Sequence, residues 1–154
     1  MQRRIIPDVI DGQQSLCLLP PNATAYAAAL LMRERRVGAV MVTVDGPLLG
    51  IVTERDLVYR LQAAGLSAQQ TSLREIMTPA PETLAPDDLA SVALEKMRLG
   101  HYRHLPIVDA GRIVGMVSIR DLYECTRQTL ELELKSAESL IYGDQYGMAS
   151  PAPN

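Results

Sequence analysis

Gly50-Ile51-Val52-Thr53-Glu54-Arg55-Asp56-Leu57 and Gly115-Met116-Val117-Ser118-Ile119-Arg120-Asp121-Leu122 are one motif written twice. Extending outward, residues 17–57 align without a gap on residues 82–122 at a constant shift of 65, and 12 of the 41 pairs are identical. Most other pairs trade like for like, as in Val40/Leu105, Val42/Ile107 and Thr53/Ser118. A long period present only twice predicts two copies of a small unit packed on each other, not a solenoid, which needs three or more. With 154 residues and 47% apolar composition, the two units are expected to share one core, since each alone would be marginal.

Each copy opens with a short extended piece, Leu16-Cys17-Leu18-Leu19 or Glu82-Thr83-Leu84, then Pro and a polar residue, Asn22 or Asp87, expected to cap a helix. Ala25, Ala28, Ala29 and Met32, and likewise Ala90, Ala93, Leu94 and Met97, recur at i, i+3, i+4 and i+7, one helical face. Gly100 is the expected stop of the second helix. Residues 37–44 and 48–52 flank Asp45-Gly46-Pro47, and residues 104–108 and 113–117 flank Asp109-Ala110-Gly111-Arg112, which predicts two hairpins. Their largely apolar strands suit sheets covered on both faces. A helix follows each hairpin, so the fold is α/β (α+β), two β-α-β-β-α repeats.

The division expected is a first repeat over 7–65, a polar linker over 66–78 with an amphipathic turn at Leu73–Met77, a second repeat over 79–125, a helical extension over 126–142 and a mobile tail over 143–154. Leu130, Leu134, Ala137 and Ile141 carry an apolar stripe beyond the repeat, read either as a dimer contact or as a helix folded over the pair.

The net charge of −3 supplies no basic field, so nucleic acid and anionic membranes are not expected partners. No run of about 18 apolar residues exists and the first residues lack a signal peptide's apolar run, so a cytoplasmic protein is expected. Cys17 and Cys125 are not spaced for zinc or redox work, and His101 and His104 have no third ligand nearby, so no metal is expected. Nucleophile elbow, metal set and glycine-rich phosphate loop are all missing, and no enzymatic activity or catalytic residue is expected.

The chemistry lies in Thr53-x-x-Asp56 and Ser118-x-x-Asp121, each after a strand and at a helix start. Free helix N–H groups and the hydroxyl can face phosphate, while the carboxylate accepts from ribose hydroxyls. The same spacing is also a capping box that binds nothing. Arg55 and Arg120, cations on a first turn, call for an anionic partner, and Arg103 and His104 add positive potential to the second copy. A cleft using Arg103, His104, Ser118, Arg120 and Asp121 suits a di- or triphosphate, and one using Thr53, Arg55 and Asp56 a less charged ligand.

The doubled pattern, with Tyr102-Arg103-His104-Leu105-Pro106-Ile107-Val108-Asp109 and the linker Ile76-Met77-Thr78-Pro79, closely resembles a tandem pair of CBS domains, the module named after cystathionine β-synthase. The resemblance covers roughly residues 7–125. It implies two units packed sheet to sheet about a pseudo-twofold axis, with clefts for AMP, ADP, ATP, NAD(H) or S-adenosylmethionine. Asp56 and Asp121 would contact ribose; Thr53, Arg55, Arg103, His104, Ser118 and Arg120 phosphate; and Val37, Gly38, Tyr102, Thr78, Pro79 and Pro81 would surround adenine. It further implies a disc-shaped homodimer acting on another, unidentified polypeptide. Met41, where the second copy keeps Pro106, and the apolar Gly38-Ala39 depart from the family pattern in the first cleft. Two functions follow as expectations: a regulatory module that binds an adenosine nucleotide, or a ligand-free dimerisation scaffold whose motifs only cap helices.

Overall fold

In the computed structural model, which describes residues 2–147 and their side chains through Tyr142, both hairpins form where the repeat predicts them. The first half runs β1 (Leu18–Leu19), α1 (Ala25–Arg35), β2 (Ala39–Thr43), β3 (Leu48–Thr53) and α2 (Glu54–Asp56), which continues in wider π-type turns over Leu57–Gln62. A connecting helix α3 (Leu73–Ile76) and strand β4 (Thr78–Pro79) lead to α4 (Ala90–Gly100), β5 (His104–Asp109), β6 (Arg112–Ser118) and the long α5 (Ile119–Gly147). One sheet has the order β1-β2-β3-β4 and the other contains β5-β6. In each hairpin turn two successive residues take positive φ, Asp45 and Gly46 in one and Ala110 and Gly111 in the other, the backbone that matches the twist of tight hairpins.

The helix ends differ from expectation in detail. Thr24, not Asn22, caps α1, its Oγ1 accepting from the Ala27 N–H at 3.0 Å. Leu89, not Asp87, stands at the N-cap of α4 and offers no side-chain bond; Asp88 turns back to accept from the Ala85 N–H. Gly100 is the last residue of α4, and the left-handed stop is His101 (φ 57), matching Arg36 (φ 55) after α1. In the second copy the lead-in strand shrinks to one bridge, Leu84 with Ile107. Pro106 explains this: Met41 donates its N–H to the Cys17 carbonyl, and proline at the matching place has none to give.

The segments before each repeat are exchanged crosswise. Residues ahead of the second repeat dock on the first, where Leu73 N–H donates to the Ala23 carbonyl and Arg74 N–H to that of Pro21. Residues at the start of the chain dock on the second, where Ile5 N–H donates to the Asp88 carbonyl and Ile6 N–H to that of Pro86. This is the reciprocity that a pseudo-twofold relation between the halves requires.

The shared core expected from the sequence is instead two clusters. One gathers Ala25, Ala28, Met32, Val40, Val42 and Val52 with Leu73 and Ile76 from the connector. The other gathers Leu84, Ala93, Met97, Leu105, Ile107, Val117 and Leu122 with Ile5 and Ile10 from the chain start. Each sheet uses its own helices and the other repeat's lead-in to cover one face, which is why no single cluster spans the pair. The hairpins meet at their rims: the Ile113 N–H donates to the Gly46 carbonyl at 3.4 Å, and Gly38 lies under His104 and Glu54. Between the rims Ala39, Met41 and Ile51, which alternate with the core positions, are also buried.

Helix α5 leaves the body after Cys125. Leu130, Leu134 and Ile141 are exposed, so the stripe is not folded over the pair. The mobile tail expected from Gly143 falls on residues whose side chains, and beyond Gly147 whose backbone too, lie outside the described residues. Among the described residues no helix is long and apolar enough to cross a membrane.

Candidate functional site

Both hydroxyl–acid pairs form capping boxes. Ser118 N–H and Oγ donate to Asp121 Oδ2 at 2.8 and 2.9 Å, and the Asp121 N–H donates back to Ser118 Oγ at 3.2 Å. Thr53 and Asp56 repeat this geometry with distances of 2.9, 3.1 and 3.3 Å. Capping therefore uses one carboxylate oxygen of each acid and leaves the other to be assigned. For Asp121 that second oxygen has no hydrogen bond or ion pair among the described residues.

A cleft of about 790 Å³ opens beside Asp121 between the halves. The second repeat contributes Arg103, His104, Met116, Ser118, Ile119, Arg120 and Asp121; the first contributes Ala29, Met32, Arg33, Arg36, Val37, Gly38, Glu54, Leu57 and Val58, with Gln14 from the chain start. Its volume is in the range of small-molecule sites, about 300–1,000 Å³. Four arginines and an imidazole face two carboxylates, Glu54 and Asp121, which favours an anion. The last turn of α1 carries Arg33, with Arg36 just beyond it, where the helix dipole is negative and cations are held favourably.

A second, smaller cavity of about 230 Å³ is lined by Gly38, Thr53, Glu54, Arg55, Tyr102, Arg103 and His104. Asp56 reaches neither cavity; it is buried, and its Oδ1 is 3.5 Å from Arg60 Nε. Arg103 and His104 line both spaces, so they are not confined to the second motif's cleft as the sequence reading has it. Val37 and Gly38 line the large cleft and Tyr102 the small one. Thr78, Pro79 and Pro81 line neither: Thr78 and Pro79 pair with Ile51 and Gly50 of β3.

Burial pushes the His104 imidazole below its ordinary value, against the pull of the Glu54 and Asp121 carboxylates, and Arg103 adds to the lowering. Burial and a hydrogen bond with Glu82 raise the Tyr102 phenol. A neutral ring at the cleft floor can donate and accept hydrogen bonds, and an anion placed beside it would favour its protonation.

Gln14, Glu54, Arg33, Arg36 and Met116 are cleft residues that the sequence reading did not single out. Gln14 Oε1 accepts from the Met116 N–H at 2.8 Å, satisfying an edge of β6 whose counterpart in β3 lies beside a paired strand. Met116 stands within the repeated motif and Arg33 is one of its identical pairs, so both carried a signal; Gln14 lies outside the repeat and carried none.

The sequence profile of the CBS domain family matches residues 4–63 and 73–126. CBS domain-containing protein YhcV of Bacillus subtilis is 37% identical over 102 residues, covering 66% of this chain and 72% of that protein. CBS domain-containing protein CBSCBSPB3 of Arabidopsis thaliana is 36% identical over 121 residues, covering 78% of this chain, which spans only 21% of that relative's length. Among solved structures, a CBS domain protein from Pyrobaculum aerophilum complexed with AMP superposes with a TM-score of 0.73 at 30% identity, covering 87% of this chain and 99% of the other. The doubled motif, the crosswise halves and these matches agree, and the chain belongs to the CBS domain family as a tandem pair of its repeats.

Proposed function

We propose that this chain is a regulatory module, not a catalyst, whose cleft at Ser118–Asp121 binds an adenosine nucleotide. The observation that carries the reading is the large cleft in which Ser118, Arg120 and Asp121 meet Arg33, Arg36, Arg103 and His104. The free oxygen of Asp121 is the acceptor for ribose hydroxyls, and the arginines are the partners of phosphate. AMP in the Pyrobaculum relative supports an adenosine ligand, and the proposal takes ADP, ATP, NAD(H) and S-adenosylmethionine as further members of that class. Because the cleft takes residues from both repeats, a ligand there stabilises one arrangement of the halves over another, by no more than its differential affinity for the two. The exposed α5 stripe, in a homodimer or against an effector protein, is the surface that reads the change, and the setting is cytoplasmic.

Calorimetric titration with AMP, ADP and ATP tests this. Binding that is tighter for the polyphosphates and lost in Arg103→Ala supports it; no heat and no rise in Tm at millimolar ligand counts decisively against it. The second reading, a scaffold with empty clefts, is favoured by the two closed capping boxes. On that reading Asp121→Ala lowers stability by about 1 kcal/mol to the same extent with and without nucleotide.

A further inference from the structure

The two motif copies are alike in sequence but unlike in what their side chains already hold. In the first, Arg60 lies 3.5 Å from Asp56 Oδ1 and donates from Nη1 to the carbonyls of Ile76 and Met77, at 3.3 and 3.1 Å. Arg55 Nη1 donates to the His101 carbonyl at the end of α4, at 3.1 Å. At the shift of 65, Arg60 matches Cys125, a short side chain that cannot reach across in this way. Correspondingly, Arg120 and the second oxygen of Asp121 have no polar partner among the described residues. The open space differs too: about 790 Å³ beside Asp121 and Arg120, against about 230 Å³ beside Thr53 and Arg55, with Asp56 and Arg60 outside both cavities.

Resting on the nucleotide reading above, we infer that the first Thr53–Asp56 motif is a clamp, filled from within by Arg60, and that the chain binds one nucleotide, at Ser118–Asp121. The guanidinium meets a carboxylate and two carbonyls, acceptors that would otherwise serve a ligand's hydroxyl and exocyclic amine N–H groups. Arg60 is thus an internal ligand that ties α2 to the connector before β4, while Arg55 ties the same motif to α4. The first motif holds the halves together and the second remains open to bind.

Two measurements decide this, each on the full chain. In calorimetric titration with AMP, wild type binds one equivalent per chain, and Arg60→Ala, or Arg60→Cys as the residue of the matching position, gains a second and weaker site. Two equal sites in wild type overturn the inference and leave the nucleotide reading standing, and a variant that stays at one site overturns the role of Arg60. Without any nucleotide, hydrogen exchange over residues 73–81 speeds up about tenfold in Arg60→Ala, the loss of roughly one charge-assisted hydrogen bond. Unchanged exchange there overturns the clamp, and this arm decides it even if wild type binds no nucleotide at all.

Discussion

On the nucleotide reading Asp121 has two tasks: its Oδ2 closes the cap on Ser118, and its second oxygen accepts from ribose in the cleft that the residue lines. Substitution separates them. Asp121→Asn keeps a cap acceptor and removes the charge, so it is expected to change stability by less than about 1 kcal/mol while weakening nucleotide at least tenfold, a pattern that denaturation and titration on one sample can read. His104 gives a second signature. Its folded pKa lies below the ordinary value of 6.5, chiefly through burial, so at pH between the two values the unfolded chain binds more protons. Its contribution to stability is therefore complete above pH 6.5 and is lost as pH falls through the lowered folded value. Urea midpoints at pH 7.5 and 5.5 are expected to differ less in His104→Gln than in wild type; an equal drop in both would remove His104 from the account. Phosphate beside the ring would favour its protonated form, so nucleotide binding there is expected to take up protons.

At the scale of elements, the β3–β4 pairing depends on a glycine for space rather than for its φ. A Cβ on Gly50 would lie 2.9 Å from the Thr78 carbonyl and closer still to the Met77 side chain, so Gly50→Ala forces β4 away. Overpacking of this kind costs about 1–3 kcal/mol, and thermal unfolding is expected to record it. Thr24→Ala, which removes the α1 cap, should cost about 1 kcal/mol. Hairpins, helices and motif positions were legible in the sequence because apolar β-rich runs, 3.6-residue periodicity and Gly turns are local signals. Caps were less so: Asn22 is by residue type at least as good a cap as Thr24, yet Thr24 is the one placed to accept from the Ala27 N–H. The tie from Arg60 to Asp56 and the connector was illegible for a similar reason, since Arg60 lies just past the repeated stretch and reads as an ordinary exposed helix residue. Helix α5 leaves Leu130 and Leu134 exposed in register. If the stripe pairs two copies, Leu130→Asp with Leu134→Asp shifts the mass by light scattering from dimer to monomer and leaves the fold intact.

For the whole molecule, the crosswise lead-ins make each half incomplete without the other. Ile5 completes the second core and Leu73 the first, and both are fully buried. Large-to-small changes at such positions cost about 2–5 kcal/mol, and the expected result is one cooperative unfolding transition that moves as a unit in Ile5→Ala and in Leu73→Ala. Two separate transitions would mean that the halves are independent. The exchange escaped the sequence reading because residues 3–6 and 71–74 are offset by 68 positions, not 65, and share no identity strong enough to align. The same interlock places the cleft where two cores meet, so that one bound molecule touches both repeats. The most direct measurement is the crystal structure of the chain grown with ATP. One nucleotide per chain is expected between Gly38 and Asp121, its ribose on Asp121 and its phosphates toward the arginines. Nucleotide at Asp56 instead, or an empty cleft at saturating ATP, would contradict this.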